Sequence, residues 1–326
     1  MKNTSLSGKT VVITGASSGA GRAAALEFAR YSACLVLAAR NHTALEEVAA
    51  ECRELGAATL IADTDVTDQG AVRCLANMAY DWNGSIDIWI NNAGILAAGS
   101  FDTTPMGVHK QVIATNLLGY MNGAHAVLPF FKRQEKGLLI NNISIGGYLP
   151  VPYGAGYTAS KFGLRGFSEA LKAELGPWPQ IRVCDLFPAF LDTPGILHAA
   201  NYTGKQLRPA PPVYDPNRLA KAMVKVAVNH SRNTYVGSAS ILLKFAHALF
   251  PGLITKATAV AMRQYFRIAK PIAATDGNVF NSVAYGMSTH GGFGVHTPPK
   301  AHRKYIIAAL AAGFAIGCWA LQGKKK

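Results

Sequence analysis

Residues 10–31 constrain the fold more than any other stretch of the chain. A β-branched run, TVVIT, leads straight into the turn Thr14-Gly15-Ala16-Ser17-Ser18-Gly19-Ala20-Gly21, and that turn opens an alanine-rich stretch with helical spacing. Glycines spaced G-x-x-x-G-x-G let a backbone approach a pyrophosphate closely, while the helix that follows directs its first amides and its dipole at the anion. A plain tight turn accounts for the glycines, but not for the strand before them and the helix after. The order predicts a dinucleotide site at Gly15, Ser17, Ser18, Gly19 and Gly21.

The alternation then continues. Short β-branched runs at residues 34–38, 59–62, 86–91, 137–143 and 181–187 follow the one at 10–13, with helical stretches such as 21–31 and 43–55 between them. This pattern predicts an α/β fold: a doubly wound, Rossmann-like parallel sheet, covered on both faces, with ligands at the carboxyl ends of its strands. The cofactor-binding catalytic domain is expected over residues 1–235. Residues 236–270 are apolar and basic enough for lid or membrane-proximal helices, and 241–254 are apolar enough to cap a hydrophobic site or lie against lipid. Residues 271–304, rich in Gly, Pro, Ser and Thr and without periodicity, read as an extended linker.

The end of the second strand bears on cofactor choice. An NAD site places a carboxylate there for the ribose 2′-hydroxyl; this chain has Ala38-Ala39-Arg40. A planar guanidinium matches a 2′-phosphate, so NADP(H) is the expected cofactor. Arg22, just inside the first helix, is a second candidate, although a solvated helix residue explains it equally well. Further along, Tyr157 and Lys161 lie four apart on one helix face. A free phenol, with a pKa of ~10, is a poor acid–base group near neutrality. A close cation favours its phenolate. Ser144, at the end of the strand over 137–143, is placed to hydrogen-bond a substrate oxygen.

Together these pieces resemble the compact branch of the short-chain dehydrogenase/reductase family. The matching segments are the glycine turn, Asp65-Val66, Asn91-Asn92-Ala93-Gly94, Thr115-Asn116-Leu117-Leu118-Gly119, Ser144, Tyr157-Thr158-Ala159-Ser160-Lys161 and Pro188-Ala189-Phe190-Leu191-Asp192-Thr193, in the family's order across residues 8–235. The resemblance implies that Tyr157 is the general acid in carbonyl reduction and the base in alcohol oxidation. It implies that Lys161 lowers the Tyr157 pKa and binds the nicotinamide ribose, that Ser144 polarises the reacting oxygen, and that Asn116 holds a relay water. Asp65 and Val66 would contact adenine, Asn92, Ala93 and Gly94 would line the cofactor path, and Pro188 and Thr193 would border the nicotinamide. Two positions depart from the family: Ala189, usually glycine, and Ala20, usually a branched aliphatic. The loop after Thr193 is where substrates diverge, and it offers His198, Tyr202 and Arg208 as pocket residues or as exposed loop side chains.

Charge divides the chain. Residues through Pro216 carry 17 basic and 17 acidic side chains, whereas those beyond carry 15 basic side chains and one acid, Asp276. Because the excess accompanies Leu, Ile and Phe and no reading module, it argues for an anionic membrane surface and against nucleic acid. Residues 305–321 form an uncharged run of 17, bracketed by His302-Arg303-Lys304 and Lys324-Lys325-Lys326. As a helix it would span ~25 Å, the short limit for a bilayer. It is expected to be a single-pass anchor contacting membrane lipid, with the catalytic domain in the cytoplasm where soluble NADPH is drawn. Gly313 and Gly317 within it leave a homo-oligomer open. Five cysteines without C-x-x-C spacing indicate reduced thiols, and no metal site is expected. The sequence thus predicts an NADP(H)-dependent oxidoreductase of an apolar, lipid- or steroid-like carbonyl or secondary alcohol. A membrane-tethered NADP(H)-binding sensor or scaffold is the alternative. It would not need the intact Ser144, Tyr157 and Lys161 set.

Overall fold

β1 (Thr10–Thr14) is buried along its whole length, because it is an interior strand of a sheet covered by helices on both faces. In the computed structural model, which describes residues 6–294, the chain continues through α1 (Gly19–Ala29), β2 (Cys34–Ala39), α2 (His42–Glu54), β3 (Ala58–Asp63), α3 (Gln69–Asn83), β4 (Ile88–Asn91) and β5 (Ala97–Ala98). Then come α4 (Met106–Ile113), α5 (Gly119–Gln134), β6 (Gly137–Asn142), α6 (Ala155–Glu174), β7 (Ile181–Pro188), β8 (Ala200–Asn201), α7 (Pro216–Asn229), β9 (Asn233–Val236), α8 (Ser238–Leu249) and α9 (Pro251–Ile268). The main sheet has the order β3-β2-β1-β4-β6-β7-β9, with every neighbouring pair parallel. The chain reverses its direction of travel between β1 and β4, and a crevice opens there at the carboxyl ends.

Pleating sends alternate residues to opposite layers. Val11 and Ile13 join Phe28 of α1, Leu45 of α2 and Met223 of α7 on one side, while Val12 meets Leu75 of α3, Phe131 of α5 and Leu171 of α6 on the other. Between β4, β6 and β7 a buried polar ladder replaces apolar packing. Asn91 donates to Asn141 at 3.1 Å, and Asn141 donates to Asp185 at 3.2 Å. Asp185 also accepts from Lys172 at 2.6 Å and from Ser168, so none of these groups is stranded without a partner.

All six expected strands form, and the doubly wound parallel sheet is present. β9 and the short β5–β8 pair are additional. The expected linker is corrected over its described part: residues 271–294 pack back on the body, which forms one unit through Gly294. A stretch without periodicity need not be free chain when its backbone carbonyls find donors. Among the described residues no helix is long and apolar enough to cross a membrane. The anchor expected at 305–321 lies outside the described residues.

Candidate active site

A cavity of about 850 Å³ opens at the carboxyl ends of β1, β4 and β6. One end is the glycine turn. Gly15 adopts φ +67°, and a Cβ there would lie 2.7 Å from Ala93 Cα; at Gly21 a Cβ would collide with the Gly15 carbonyl. Only glycine permits this approach of two backbones. The turn is braced from β4: Asn92 donates through Nδ2 to the Thr14 carbonyl at 3.0 Å, and the Ala93 amide donates to Thr14 Oγ1 at 3.2 Å. Gly15, Ser17, Ser18, Gly19, Gly21, Arg40, Asp65, Val66, Asn92, Ala93 and Gly94 all line the cavity, as do Pro188 and Thr193 toward its other end. The glycine turn, the first turn of α1 and the Arg40 cation fit a phosphorylated dinucleotide.

Arg22 does not join them. Its guanidinium pairs with Glu51 and lies 3.7 Å from Glu47, both on α2, and it is not among the residues lining the cavity. Two carboxylates one helix away outcompete a site that would need the charge free. Arg22 is held by the α2 carboxylates beside the cofactor end of the cavity.

Tyr157 and Lys161 project from one face of α6, beside the end of β6 where Ser144 sits. Ser144 holds φ 110°, a sparsely populated conformation for a residue with a side chain, and its hydroxyl accepts from the Gly146 amide at 3.1 Å. Burial pushes the Tyr157 phenol above its ordinary pKa, and a hydrogen bond with Ser144 pulls it back in part. Lys161 is 4% exposed, and desolvation lowers its pKa to about 7. Its Nζ lies 5.8 Å from the Tyr157 ring centre and 3.5 Å from the Asn142 carbonyl. Burial therefore outweighs the lowering that the Ser144 hydrogen bond gives, and the phenol stands above its ordinary value. The same burial disfavours the phenolate and weakens the cation meant to attract it.

Asn116 lies in a wide π-type turn (Ala114–Leu118) between α4 and α5. Its carboxamide accepts from the Ile95 amide at 2.8 Å and donates to the Ile95 carbonyl at 2.9 Å and to Ser160. That side chain clamps the segment after β4, while its neighbour Thr115 lines the cavity.

The far end of the cavity is apolar. Leu149, Val151, Leu191 and Ile196 meet Met262, Tyr265 and Phe266 of α9 there, with His198 and Arg208 among them. Burial lowers the His198 pKa. Tyr202 faces away and bonds Asp276. Of the two roles expected for 241–254, the cap is corrected: Thr258, Ala261, Met262, Tyr265 and Phe266 line the cavity instead, whereas Phe245, Leu249 and Phe250 are exposed. Basic and apolar residues alternate too irregularly in this region for the sequence to separate the two helices. Also missed were Asn278, Ser282, Val283 and Met287, which line the cavity from the segment taken for a linker. Nothing in their spacing signals it.

Residues 9–200 match the family described as short chain dehydrogenase. The uncharacterized oxidoreductase YxnA of Bacillus subtilis is 30% identical over 89% of this chain and 83% of its own. The 17-beta-hydroxysteroid dehydrogenase 13 of Rattus norvegicus is 29% identical over 78% of this chain and 83% of its own. An alcohol dehydrogenase from Thermococcus sibiricus, solved in complex with 5-hydroxy-NADP, superposes with a TM-score of 0.61 at 27% identity, over 70% of this chain and 94% of that one. With the family match, the sheet order and the cavity at its switch point all in agreement, the chain belongs to the short-chain dehydrogenase/reductase family and is an oxidoreductase of carbonyl and alcohol groups.

Proposed function

We propose that the protein is an NADP(H)-dependent reductase and dehydrogenase of an apolar, lipid- or steroid-like carbonyl or secondary alcohol. The observation that carries this reading is the continuity of one cavity. It runs from the glycine turn and Arg40, past Ser144, Tyr157 and Lys161, to a chamber bounded by Leu149, Val151, Met262 and Phe266. The nicotinamide, when bound, supplies or accepts the hydride.

The chain's own residues handle the oxygen and its proton. Tyr157, held protonated by burial, donates its hydroxyl proton to the carbonyl oxygen as that oxygen gains negative charge. Ser144 donates a hydrogen bond to the same oxygen and polarises it. Lys161 Nζ, buried behind Tyr157, supplies positive charge that favours the phenolate left after transfer. In the oxidation direction the phenolate takes the proton back. Apolar side chains around the chamber exclude water and set the preference for an apolar substrate.

The test follows nicotinamide absorbance across a panel of apolar ketones and aldehydes, with short polar carbonyls alongside. NADPH-dependent turnover that is strongest with the apolar members is expected. NADPH binding without turnover anywhere in the panel would instead support a sensor.

The same reading places the enzyme at a membrane. Its support is the lysine-bracketed run at 305–321, together with exposed Phe245, Leu249, Phe250 and Leu253 beside Lys256 and Arg263. Each such cation adds about 1 kcal/mol of attraction at an anionic surface. Full-length protein is expected to pellet with membranes and resist salt extraction. Deletion after Lys304 should release it or leave a salt-sensitive attachment; unchanged salt-resistant pelleting would reject the anchor.

A further inference from the structure

Residues 276–293 run across the cofactor end of the cavity, and they are held there by residues of the dinucleotide site and its neighbours. The Gly19 amide, at the start of α1, donates to the Ser288 carbonyl at 2.9 Å. Arg40 donates to the carbonyls of Asn278 at 2.6 Å and Phe280 at 3.2 Å, and Asn41 donates to that of Val283 at 3.2 Å. Arg22 donates to the Met287 carbonyl. At the far end, the Asp192 carboxylate accepts from the amides of Gly291 at 3.1 Å and Phe293 at 3.0 Å.

The seat is shaped to this segment. A Cβ on Gly277 would collide with the His198 carbonyl, and one on Gly286 (φ +67°) would lie 2.7 Å from His198 Nε2. Yet the attachment is shallow. Val279, packed among Ile95, Val108 and Val112, is the one residue of 276–293 that is buried. Besides its main-chain hydrogen bonds the strip has the Tyr202–Asp276 and His290–Asp215 side-chain pairs, all of them at exposed or half-exposed positions. A strip attached in this way around a single apolar anchor opens at lower cost than the core. One further observation points to a ligand: Asn278 lines the cavity, and its side-chain Oδ1 is buried without a partner. A buried acceptor left in that state costs about 1–3 kcal/mol.

We propose that residues 276–293 are a clasp that completes the nucleotide site, with Asn278 Oδ1 accepting from an amino or hydroxyl donor of the bound dinucleotide. The inference rests on the NADP(H) reading above and extends it. The clasp carbonyls hold Arg40 at the cavity edge without neutralising it, since two of its five N–H donors are used and the rest remain for a phosphate. Nucleotide enters and leaves when the clasp lifts, so clasp opening sets its dissociation rate.

The experiment uses the full chain. Hydrogen exchange of peptides covering 276–293 is measured with and without saturating NADPH, and NADPH dissociation is followed by stopped-flow fluorescence in wild type, Gly286→Val and Asn278→Leu. The expected result is exchange in 276–293 slowed at least about tenfold by NADPH. Gly286→Val, which obstructs the seat, should speed dissociation by about tenfold, and Asn278→Leu should weaken affinity by about tenfold, the scale of one buried hydrogen bond. If Gly286→Val fails to fold, the wild-type exchange and Asn278→Leu still decide. NADPH binding with unchanged exchange in 276–293 and unaltered dissociation in the variants overturns the clasp and leaves the NADP(H) reading intact. Failure of the wild type to bind NADPH overturns both.

Discussion

Arg40 donates through Nη2 to the main-chain carbonyl of Asn278 at 2.6 Å, across 238 positions of sequence. The partner is neutral, so the arginine keeps its full positive charge at the end of β2. Arg22 shows the opposite outcome: engaged by carboxylates of α2, its charge is cancelled before any ligand arrives. Two arginines of similar promise in the sequence are thereby separated by their partners.

Arg40→Asp is expected to raise the KM for NADPH by about 10–100-fold, the loss of a charged hydrogen-bonded contact. The KM for NADH should change far less, because a carboxylate at this place suits a free 2′-hydroxyl. Parallel steady-state titrations of the two cofactors measure the ratio. An unchanged preference would remove Arg40 from cofactor selection.

Tyr157→Phe removes one hydroxyl from a half-buried ring and nothing else. The rate constant for carbonyl reduction should fall by about 10²–10⁴-fold, the usual worth of a positioned proton donor. NADPH affinity, read from fluorescence, should hold within about twofold. Turnover equal to wild type would reassign the proton to another group.

The fold was legible because parallel strands buried on both faces leave apolar runs, and TVVIT and IRVCDLFP are such runs. β9 was not legible: NTYV is short and polar at its start, and its pairing with β7 depends on α7 lying between them. The chemistry-bearing residues stood out because α6 spaces Tyr157 and Lys161 one turn apart, a relationship within a single element. The clasp stayed hidden because its contacts to the site are made by backbone carbonyls, which every residue type carries. For Arg22 the sequence placed the residue on α1 but could not show Glu47 and Glu51 facing it from α2.

Gly21→Ala should dismantle the turn that the sequence made most visible. The added Cβ would meet the Gly15 carbonyl and come within 2.7 Å of Asn92 Nδ2, both fixed by the brace from β4. Overpacking of this kind costs about 1–3 kcal/mol, so a fall of several degrees in melting temperature is expected, with loss of NADPH binding. Gly166→Ala is the control: nothing lies within 4 Å of its Cβ position in α6, and removing a helix-interior glycine should stabilise by about 0.5–1 kcal/mol. Equal melting curves for Gly21→Ala and wild type would show that the close approach at Gly21 is not required.

Lys161 separates stability from activity. Desolvation lowers its pKa from 10.5 to about 7. Below pH 7 both the folded and unfolded chains carry the proton, and the folded state bears the full penalty of a buried cation. Between pH 7 and about 10.5 only the unfolded chain binds it, so stability rises with pH and the penalty fades. Lys161→Met keeps the volume and removes the charge. Its melting temperature should exceed that of wild type by roughly 3–6 °C at pH 6, and the gap should narrow toward pH 10. Reductase activity should be largely lost at pH 6, where the wild-type cation stands behind Tyr157 and the variant has none. Thermal scans at the two pH values decide the matter: a lower melting temperature for the variant at pH 6, or a gap that does not change with pH, would mean that Lys161 is not held against its solvation.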